Sequence, residues 1–355
     1  MYKMEIKSSI RNYNLSIIDD FEHTLNSVYN EGDFIIIDEK VFNLFVDKLT
    51  NKRWNDKTIK ISALEETKSY LNLAPVIEKL IENGFKKNHT LIAIGGGITQ
   101  DTTAFIASIM YRGVDWIFFP TTLLAQGDSC IGSKTSINFG KYKNQIGNFY
   151  SPREIFIDLK FLETLDERDL TSGLGEMAHY FLVASEDDFQ RYKTDYPVVR
   201  NDYNSLKNLL QRSLEIKKSY IEIDEFDKKE RQVFNYGHSF GHAIESLTNY
   251  EIPHGVAVSI GMDISNFMSV KYGYLDEYKR EEMRELLKQV WKGYSIENID
   301  LSKMEAALRK DKKNKDHLLG LILSAGPGKI FKEFKELDEN FSRWLKEYFE
   351  TEFNK

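Results

Sequence analysis

The sequence predicts an α/β amino-terminal Rossmann-like domain with a parallel sheet, followed by a mostly α-helical carboxy-terminal domain. Up to about Asp158, short apolar runs alternate with segments of helical periodicity, and strand-like runs are nearly absent afterwards. Such alternation indicates βαβ units and therefore a parallel sheet. A glycine-rich turn after one predicted strand opens a predicted helix, as is typical of such a domain. We therefore expect two domains, comprising residues 1–158 and 159–355.

Each predicted strand is short, apolar and rich in β-branched or aromatic residues, which is the pattern of a buried strand. In the first domain these strands are Phe34–Asp38, Thr90–Ile94 and Trp116–Phe119. The helix predicted between the first two, Ala74–Gly84, carries Val76, Ile77, Leu80 and Ile81 on one side. Helical periodicity in the second domain covers Leu206–Ile223, Arg231–Tyr250, Val256–Tyr272 and Glu281–Trp291, and Leu318–Leu323 is its one strand candidate.

Composition excludes several classes of protein. The 355 residues carry a formal net charge of −7, so the surface as a whole attracts neither nucleic acid nor acidic membranes. The single cysteine, Cys130, excludes an intramolecular disulfide and a thiolate-rich zinc site, as suits a reducing cytoplasm. The amino terminus lacks a signal-peptide pattern, and no window approaches the ~20 apolar residues that a membrane span needs. We expect a cytoplasmic protein without nucleic-acid or membrane partners.

A histidine cluster is the most informative feature of the second domain. Of the seven histidines in the chain, His238, His242 and His254 lie close together in the sequence. On a helix, His238 and His242 are one turn apart and point the same way, and His254 from the next loop can close a tetrahedral site. The alternative interpretation is that these histidines form hydrogen bonds within a core. The spacing indicates a metal without identifying it.

A dinucleotide site is predicted at the glycine-rich turn of the first domain. The turn Gly95-Gly96-Gly97 lets backbone amides approach a phosphate at the amino terminus of a helix. It does not contain the G-x-G-x-x-G fingerprint, and many such turns are only tight connections. Thr121 and Thr122 at the end of the next strand, and Asp38 at the end of an early strand, strengthen the prediction, because ligands of open α/β sheets bind at the carboxyl ends of strands.

Polar residues between the strands and the helical domain suit an anion. The segments Asp128–Thr135 and Lys143–Gly147 contain glycines, hydroxyl groups, Lys134 and Asn144, and Arg112 lies upstream. Lysine and arginine provide positive charge, while glycines let a loop wrap closely. The alternative is an ordinary polar loop. Taken by itself, the charged run from Lys310 to Lys315 is typical of a solvated loop.

Several of these motifs follow one another in a recognisable order. They are Gly95-Gly96-Gly97 with Asp101, Arg112-Gly113, Pro120–Ala125, Asp128-Ser129, Gly132-x-Lys134, Lys143-Asn144-x-Ile146-Gly147, Glu176, and Gly237–Glu245. In this order they resemble the 3-dehydroquinate synthase family and, more broadly, the sugar phosphate cyclases. The resemblance runs from roughly Asp38 to Lys329.

The resemblance implies a role for each matching residue. Glu176, His238 and His254 would bind Zn²⁺ or another divalent metal such as Co²⁺, and His242 would contact the substrate phosphate instead. NAD would be bound by Asp38, Glu65, Lys68, Gly95, Gly96, Gly97, Asp101, Thr121, Thr122, Asp128, Ser129, Lys134, Lys143 and Thr164. The sugar phosphate would be held by Arg112 from the partner subunit of a homodimer, and by Lys134, Asn144, Lys217, Arg231, Asn235, His242 and a lysine of the pair Lys312 and Lys313. His179, close to the metal site, is a further candidate catalytic residue.

The implied reaction uses a redox cofactor without net oxidation. A substrate hydroxyl is oxidised transiently, the neighbouring C–H becomes acidic, phosphate leaves, the ketone is reduced again and the sugar closes into a carbocycle. In 3-dehydroquinate synthase the substrate is 3-deoxy-arabino-heptulosonate 7-phosphate, which carries a carboxylate. The residues that grip it, Lys217, Arg231 and Asn235, are all present in this chain.

Four departures keep other functions open. His179 replaces the lysine of the usual Glu-Val-x-Lys motif, Ser133 and Gln100 stand where glycine is usual, and Leu64 replaces the glycine before Glu65. The alternatives are a divergent cyclase of heptulose or hexose phosphates, with a valiolone- or deoxyinosose-type product, an NAD-dependent polyol dehydrogenase, and a regulator that binds NAD or metal without turnover.

Overall fold

The computed structural model describes residues 2–49, 53–140, 142–296, 299–311 and 313–355. The chain divides into two compact units. The first comprises Met1–Asp166 and Lys218–Phe226, and the second comprises Glu167–Lys217 and Asp227–Lys355. In the described part of the chain, every helix is too short or too polar to cross a membrane.

The first unit is built on a seven-stranded sheet. Its strands are β1 (Tyr2–Ile6), β2 (Tyr13–Ile18), β3 (Phe34–Asp38), β4 (Thr58–Ile61), β5 (Leu91–Gly95), β6 (Trp116–Pro120) and β9 (Glu154–Asp158). Between β6 and β9 the chain forms a separate hairpin of β7 (Ile137–Phe139) and β8 (Tyr142–Ile146). The order across the sheet is β1-β2-β9-β6-β5-β3-β4. Only β1 and β2 pair antiparallel, so the predicted parallel sheet is confirmed.

The strands β3, β5 and β6 form the buried centre of this sheet, as their apolar composition predicts. Ile37 pairs with Ile94, and Gly95 pairs with Pro120. Because the three strands run parallel, their carboxyl ends meet at one edge, where ligands of α/β sheets bind. The helices of this unit are α1 (Phe21–Val28), α2 (Glu39–Leu44), α3 (Val46–Leu49), α4 (Tyr70–Glu82) and α5 (Gly97–Ile109).

The second unit is mostly helical, as predicted, and has one antiparallel hairpin. Its helices are α6 (Glu167–Ala184), α7 (Glu186–Asp195), α8 (Tyr203–Ile223, whose last residues belong to the first unit), α9 (His238–Leu247), α10 (His254–Lys271), α11 (Glu277–Trp291), α12 (Leu301–Arg309) and α13 (Glu339–Glu347). The hairpin strands are β10 (Leu318–Ser324) and β11 (Ile330–Glu336).

Two features of the second unit differ from the prediction. The helix predicted over Arg231–Tyr250 is wrong at its start, because residues 230–235 form a 3₁₀ turn and α9 begins only at His238. Gly237 separates the two, with a left-handed φ of 79° that an α-helix cannot accommodate. Strand β11 was not predicted, because its sequence is rich in charged residues and only partly buried.

Candidate metal and nucleotide sites

Three helices of the second unit bring a carboxylate and two imidazoles together. Glu176 lies within α6, and His238 and His254 are the first residues of α9 and α10. His238 Nε2 lies 3.4 Å from Glu176 Oε1, and His254 Nε2 lies 3.3 Å from Glu176 Oε2. One ligand atom from each residue lies within 4.8 Å of the other two. These are the three residues that the resemblance implies as metal ligands.

Glycines let the helices approach closely enough to form this cluster. A Cβ atom at Gly255 would lie 1.8 Å from the carbonyl oxygen of Ser172, and one at Gly175 would lie 2.4 Å from the carbonyl oxygen of Gly255. A Cβ atom at Gly237 would lie 2.5 Å from the carbonyl oxygen of Val258. Each cluster residue is the chain neighbour of one such glycine, in the pairs Gly175-Glu176, Gly237-His238 and His254-Gly255.

The donor set and its spacing fit a divalent metal. Ligand atoms about 2.0–2.1 Å from a tetrahedral ion are about 3.4 Å apart, close to the two separations measured from Glu176. Glu176 is buried, and its Oε2 accepts no hydrogen bond from the residues that the structure describes. An unsatisfied buried acceptor costs about 1–3 kcal/mol, and a cation between the three residues would satisfy it. Three protein ligands also leave one tetrahedral position open.

The carboxylates and imidazoles of the cluster shift one another's pKa values. Burial raises the pKa of Glu176, but the imidazoles of His238, His179 and His254 outweigh burial and hold this pKa well below its usual range. Burial lowers the pKa of His254, but the Glu176 and Glu245 carboxylates raise it well above the usual range. Metal binding to these residues would therefore depend on pH, because metal ligands must be deprotonated.

Two further histidines border the cluster. His179 lies one turn after Glu176 on α6 and is buried, with Nδ1 3.5 Å from Glu176 Oε1. The His242 ring is exposed, and its centroid lies 5.5 Å from that of His238 and 5.6 Å from that of His254. His242 forms a second triplet with Glu245 and His254, and it is not grouped with Glu176. The role of His242 at the substrate phosphate remains a prediction.

The other predicted substrate residues of the second unit lie on several elements. Lys217 of α8 and Arg231 of the 230–235 turn are buried, and Lys217 Nζ lies 5.8 Å from the centroid of the Tyr180 ring. Asn235 donates to the carbonyl oxygen of Gln232 at 3.1 Å. Lys313 Nζ lies 2.6 Å from Asp311 Oδ2, so it is not part of a fully solvated run. Lys312 lies outside the described residues.

In the first unit, the glycine-rich turn lies where it was predicted. Strand β5 ends at Gly95, and Gly96 caps α5 without a side-chain hydrogen bond. A Cβ atom at Gly95 would lie 2.4 Å from Thr99 Oγ1, so this position requires glycine. The first amides of α5 are left for an anion, which a helix amino terminus favours. Nearby, Oγ1 of Thr99 and of Thr121 is buried without a hydrogen bond to any described residue.

A hydrogen-bonded network joins predicted cofactor and substrate residues of the first unit. Lys68 Nζ donates to Asp101 Oδ2 and to Asn144 Oδ1, at 2.9 Å each. Asn144 has a left-handed φ of 56°, which asparagine tolerates better than most residues. Lys143 Nζ lies 3.6 Å from Glu65 Oε1. The structure therefore brings together Glu65, Lys68, Asp101, Lys143 and Asn144, although they come from distant parts of the first domain.

Asp101 provides a pH-dependent prediction. Burial raises its pKa to about 6, although Lys68 and the Ser136 amide lower it. The folded state therefore binds this proton more tightly than the unfolded chain, so stability from Asp101 is present below about pH 4 and lost as the pH rises through about 6. Asp101→Asn should raise the free energy of unfolding of the cofactor-free protein by about 1–3 kcal/mol near pH 7.5, and by little near pH 4. Urea unfolding at both pH values tests this, and an equal change at both would contradict it.

Two departures from the family pattern have structural explanations. Gln100 donates from Nε2 to the carbonyl oxygen of Ser129 and accepts from Ser129 Oγ, both at 2.6 Å. It therefore holds the segment after β6 against α5. Ser133 has a left-handed φ of 62°, which is the conformation that makes glycine usual at this position. A non-glycine residue there costs roughly 1–2 kcal/mol.

The remaining predicted cofactor residues follow the carboxyl ends of strands. The Asp38 carboxylate accepts from the Lys40 amide at 2.9 Å, and burial raises its pKa. Thr122 Oγ1 accepts from the Ala125 amide at 3.2 Å. The others are Gly97 at the start of α5, Asp128 and Ser129 in the Ala125–Ser129 turn, exposed Lys134, and Thr164 in the Leu159–Thr164 turn.

Arg112 lies in a strained turn. Tyr111 and Arg112 have consecutive left-handed φ values of 51° and 66°, and Gly113 follows with 116°. Such strain in non-glycine residues is concentrated at functional sites. Arg112 is exposed, and its side chain makes no hydrogen bond or ion pair with any residue that the structure describes. The turn therefore presents a guanidinium at the surface.

Residue-by-residue reasoning from the sequence did not assign a role to Glu245. Its carboxylate Oε2 lies 3.0 Å from His254 Nδ1. The sequence pattern that indicates a role for Glu245 is its spacing from His238 and His242, which places all three residues on one side of α9. The glycines beside the three cluster residues were another unused signal, because glycine next to a potential ligand indicates close backbone packing.

Family models and curated relatives that match this chain point to the same family. A family model described as 3-dehydroquinate synthase N-terminal matches residues 58–172, and one described as 3-dehydroquinate synthase C-terminal matches residues 173–314. The chain is 34% identical over 309 residues to 3-dehydroquinate synthase of Thermoanaerobacter sp. (strain X514), covering 85% of this chain and 87% of that protein. It is 34% identical to 3-dehydroquinate synthase of Thermodesulfovibrio yellowstonii, covering 98% and 100%.

Solved structures with the same fold include two synthases. The 2-deoxy-scyllo-inosose synthase complexed with carbaglucose-6-phosphate, NAD⁺ and Co²⁺ has a TM-score of 0.84 at 23% identity, covering 98% of this chain and 99% of that one. The 2-epi-5-epi-valiolone synthase from Streptomyces hygroscopicus subsp. jinggangensis 5008, with NAD⁺ and Zn²⁺ bound, has a TM-score of 0.83 at 23% identity and covers 94% of both chains. The folds agree, and the sequence matches over most of its length; the chain belongs to the 3-dehydroquinate synthase family.

Proposed function

We propose that the protein is a metal- and NAD-dependent sugar phosphate cyclase that converts 3-deoxy-arabino-heptulosonate 7-phosphate to 3-dehydroquinate with elimination of phosphate. The observation that carries this proposal is the cluster of buried Glu176 with the partly buried His238 and His254 in a chain of this family. The uncapped amino terminus of α5 after its glycine turn supports the NAD site. The relatives named above are synthases of this reaction type, and two solved neighbours hold NAD⁺ with Co²⁺ or Zn²⁺.

The cluster residues would hold the metal and leave room for substrate. When bound, NAD⁺ supplies a reversible hydride acceptor and the divalent cation a Lewis acid for a substrate oxygen. Glu176 offsets part of the cation's charge, while His238 and His254 contribute neutral nitrogens. In the first unit, Lys68, Asp101 and Asn144 hold one another in fixed positions, which supports orientation of the bound molecules. Oxidation of the substrate hydroxyl would acidify the neighbouring C–H so that the proton and the phosphate are eliminated, and return of the hydride would leave no net redox change.

Buried cations support a substrate that carries a carboxylate. Lys217 and Arg231 are each 5% exposed. A guanidinium can grip a carboxylate with two parallel hydrogen bonds. Such charge-assisted bonds are worth about 1.5–3 kcal/mol each. A site that provides them discriminates against an analogue lacking the carboxylate, because the analogue cannot form these bonds.

A substrate panel tests this assignment. We expect 3-deoxy-arabino-heptulosonate 7-phosphate to release phosphate on the order of 10² times faster, in kcat/KM, than sedoheptulose 7-phosphate or glucose 6-phosphate, which lack the carboxylate. Arg231→Ala should erase this preference while phosphate affinity changes less, and Arg343→Ala, at an exposed arginine of α13, should leave the preference intact. Faster turnover of sedoheptulose 7-phosphate by the unmodified protein would overturn the assignment.

The second candidate is a divergent cyclase that acts on a heptulose or hexose phosphate. The observation that favours it is His179, a buried imidazole 3.5 Å from Glu176 where the family usually has lysine. An imidazole is shorter than a lysine side chain and does not carry a fixed positive charge. The panel above separates the two candidates, because this enzyme would prefer a sugar phosphate without a carboxylate.

We also propose that the active enzyme is a cytoplasmic homodimer in which Arg112 serves the substrate site of the partner subunit. The strained turn at Tyr111 and Arg112 supports this role, because it presents an exposed guanidinium for which the described residues provide no acceptor. Arg112→Ala should lower turnover without changing the metal content of the protein. Mixing this variant with a Lys217→Ala variant should restore activity if the two residues serve one site from different subunits.

A further inference from the structure

We propose that Glu245 is a positioning residue that orients His254 for metal binding by accepting a hydrogen bond from its Nδ1. This inference rests on the metal site proposed above, and it concerns a residue outside that set of ligands. His254 Nδ1 lies 3.0 Å from Glu245 Oε2, while Nε2 of the same ring faces Glu176 Oε2 at 3.3 Å. One imidazole therefore connects two carboxylates through its two nitrogens.

The helix α9 explains why Glu245 can reach this position. His238, His242 and Glu245 lie at positions i, i+4 and i+7, so all three project from one side of α9. The same helix thus supplies one ligand of the cluster and the carboxylate that faces another ligand. Glu245 is partly buried, with 14% of its side chain exposed, so its hydrogen bond to His254 is shielded from water.

The hydrogen bond determines which nitrogen of His254 is available to a metal. A carboxylate accepts only from a nitrogen that carries hydrogen, so contact with Glu245 keeps the proton on Nδ1. Nε2 then presents its lone pair toward Glu176 and His238, as a metal ligand must. The negative charge of Glu245 also increases the basicity of the ring, and such partners typically change metal affinity by 10–100-fold.

An alternative use of the same groups is a second metal between His242, Glu245 and His254, whose ligand atoms also lie within 4.8 Å of one another. The 3.0 Å separation of Glu245 and His254 is that of an ordinary N–H···O hydrogen bond. His242 in this triplet is exposed, whereas Glu176 at the first cluster is buried. We therefore assign Glu245 to the orientation of His254, and metal stoichiometry distinguishes the two uses.

The test is a titration of metal-free protein with Co²⁺ in competition with a chelator, which gives both the Kd and the visible d–d spectrum. Unmodified protein should bind one Co²⁺ per chain. Glu245→Ala should weaken binding by about 10–100-fold and shift the d–d bands, because His254 is no longer oriented. Glu245→Gln keeps an acceptor for Nδ1 and should recover most of the affinity. Glu251→Ala, at an exposed carboxylate shortly after α9, is the matched control and should bind like the unmodified protein.

The outcomes separate this inference from the proposed function. If the unmodified protein binds no Co²⁺, the metal site itself is wrong. If it binds one Co²⁺ and Glu245→Ala, still folded by circular dichroism, binds with an unchanged Kd and spectrum, the positioning role is wrong. If Glu245→Ala does not fold, Glu245→Gln becomes the test. A loss of Co²⁺ affinity in Glu245→Gln as large as the loss caused by replacing a metal ligand would show that the amide cannot orient His254, and the positioning role would be wrong. Two Co²⁺ per chain, with the second lost in His242→Ala, would establish the second metal instead.

Discussion

His254→Ala is expected to abolish stoichiometric binding of Zn²⁺ or Co²⁺ and to lower turnover by on the order of 10³-fold or more, since polarisation by a metal is worth several kcal/mol. The imidazole Nε2 lies 3.3 Å from the buried Glu176 carboxylate, and its removal leaves only two of the three ligands. Metal content by elemental analysis and phosphate release by a colorimetric assay measure the two effects.

The control for this prediction is a histidine outside the cluster. His317 is exposed and faces Glu336 at 3.8 Å, so His317→Ala should retain both metal and activity. Retention of one metal ion per chain in the His254→Ala protein would show that the ligand assignment is wrong. If His254→Ala lost its metal and also had a lowered melting temperature, misfolding could explain the loss of metal. Glu176→Gln is then the second variant, because this substitution removes the ligand charge with little change in side-chain volume.

Gly255→Ala is expected to destabilise the second unit and to disrupt the same cluster. The added Cβ atom would lie 1.8 Å from the carbonyl oxygen of Ser172 and 2.7 Å from the amide nitrogen of Glu176. Both are backbone atoms of α6, so the two helices must separate. Overpacking of this kind costs typically about 1–3 kcal/mol, although alanine is intrinsically the better helix former by about 1 kcal/mol. Chemical unfolding and Co²⁺ titration test the two consequences.

Gly273→Ala is the matched control for this steric effect. Gly273 follows the carboxyl end of α10 with a left-handed φ of 76°, and an added Cβ atom would meet no atom of the described residues within 4 Å. Gly273→Ala should lower the free energy of unfolding only through the left-handed backbone conformation, by roughly 1–2 kcal/mol. We expect Gly273→Ala to keep its metal affinity, whereas Gly255→Ala should lose it. If Gly255→Ala bound Co²⁺ like the unmodified protein, the close contact of α6 and α10 would not be what positions Glu176 and His254.

The elements that could be predicted from the sequence are those with strong local signals. Strands β3 and β6 and helix α10 have continuous apolar or periodic patterns, and the structure places them close to their predicted bounds. The start of α9 could not be predicted, because Gly237 takes a left-handed conformation that depends on its close approach to α10. Strand β11 lacks an apolar pattern because it is only partly buried.

The metal cluster illustrates what histidine spacing can and cannot predict. Spacing indicated a site on α9 but favoured His242, one turn from His238, as a ligand. The structure groups His238 with Glu176 instead, and Glu176 lies on a helix far away in the sequence. Local periodicity carries no information about such a contact, which depends on the packing of α6, α9 and α10. The family resemblance supplied Glu176 and a motif that ends at Glu245, while the contact of Glu245 with His254 emerges only from the geometry.

The most direct test of the central claim follows phosphate and NADH together during a single reaction. Purified protein with NAD⁺ and Co²⁺ is mixed with 3-deoxy-arabino-heptulosonate 7-phosphate, and phosphate release is recorded alongside absorbance at the NADH band. We expect one phosphate per 3-dehydroquinate formed and no steady accumulation of NADH. Accumulation of one NADH per product would contradict the cyclase assignment and indicate a polyol dehydrogenase, and binding of NAD⁺ and metal without any phosphate release would indicate a regulator.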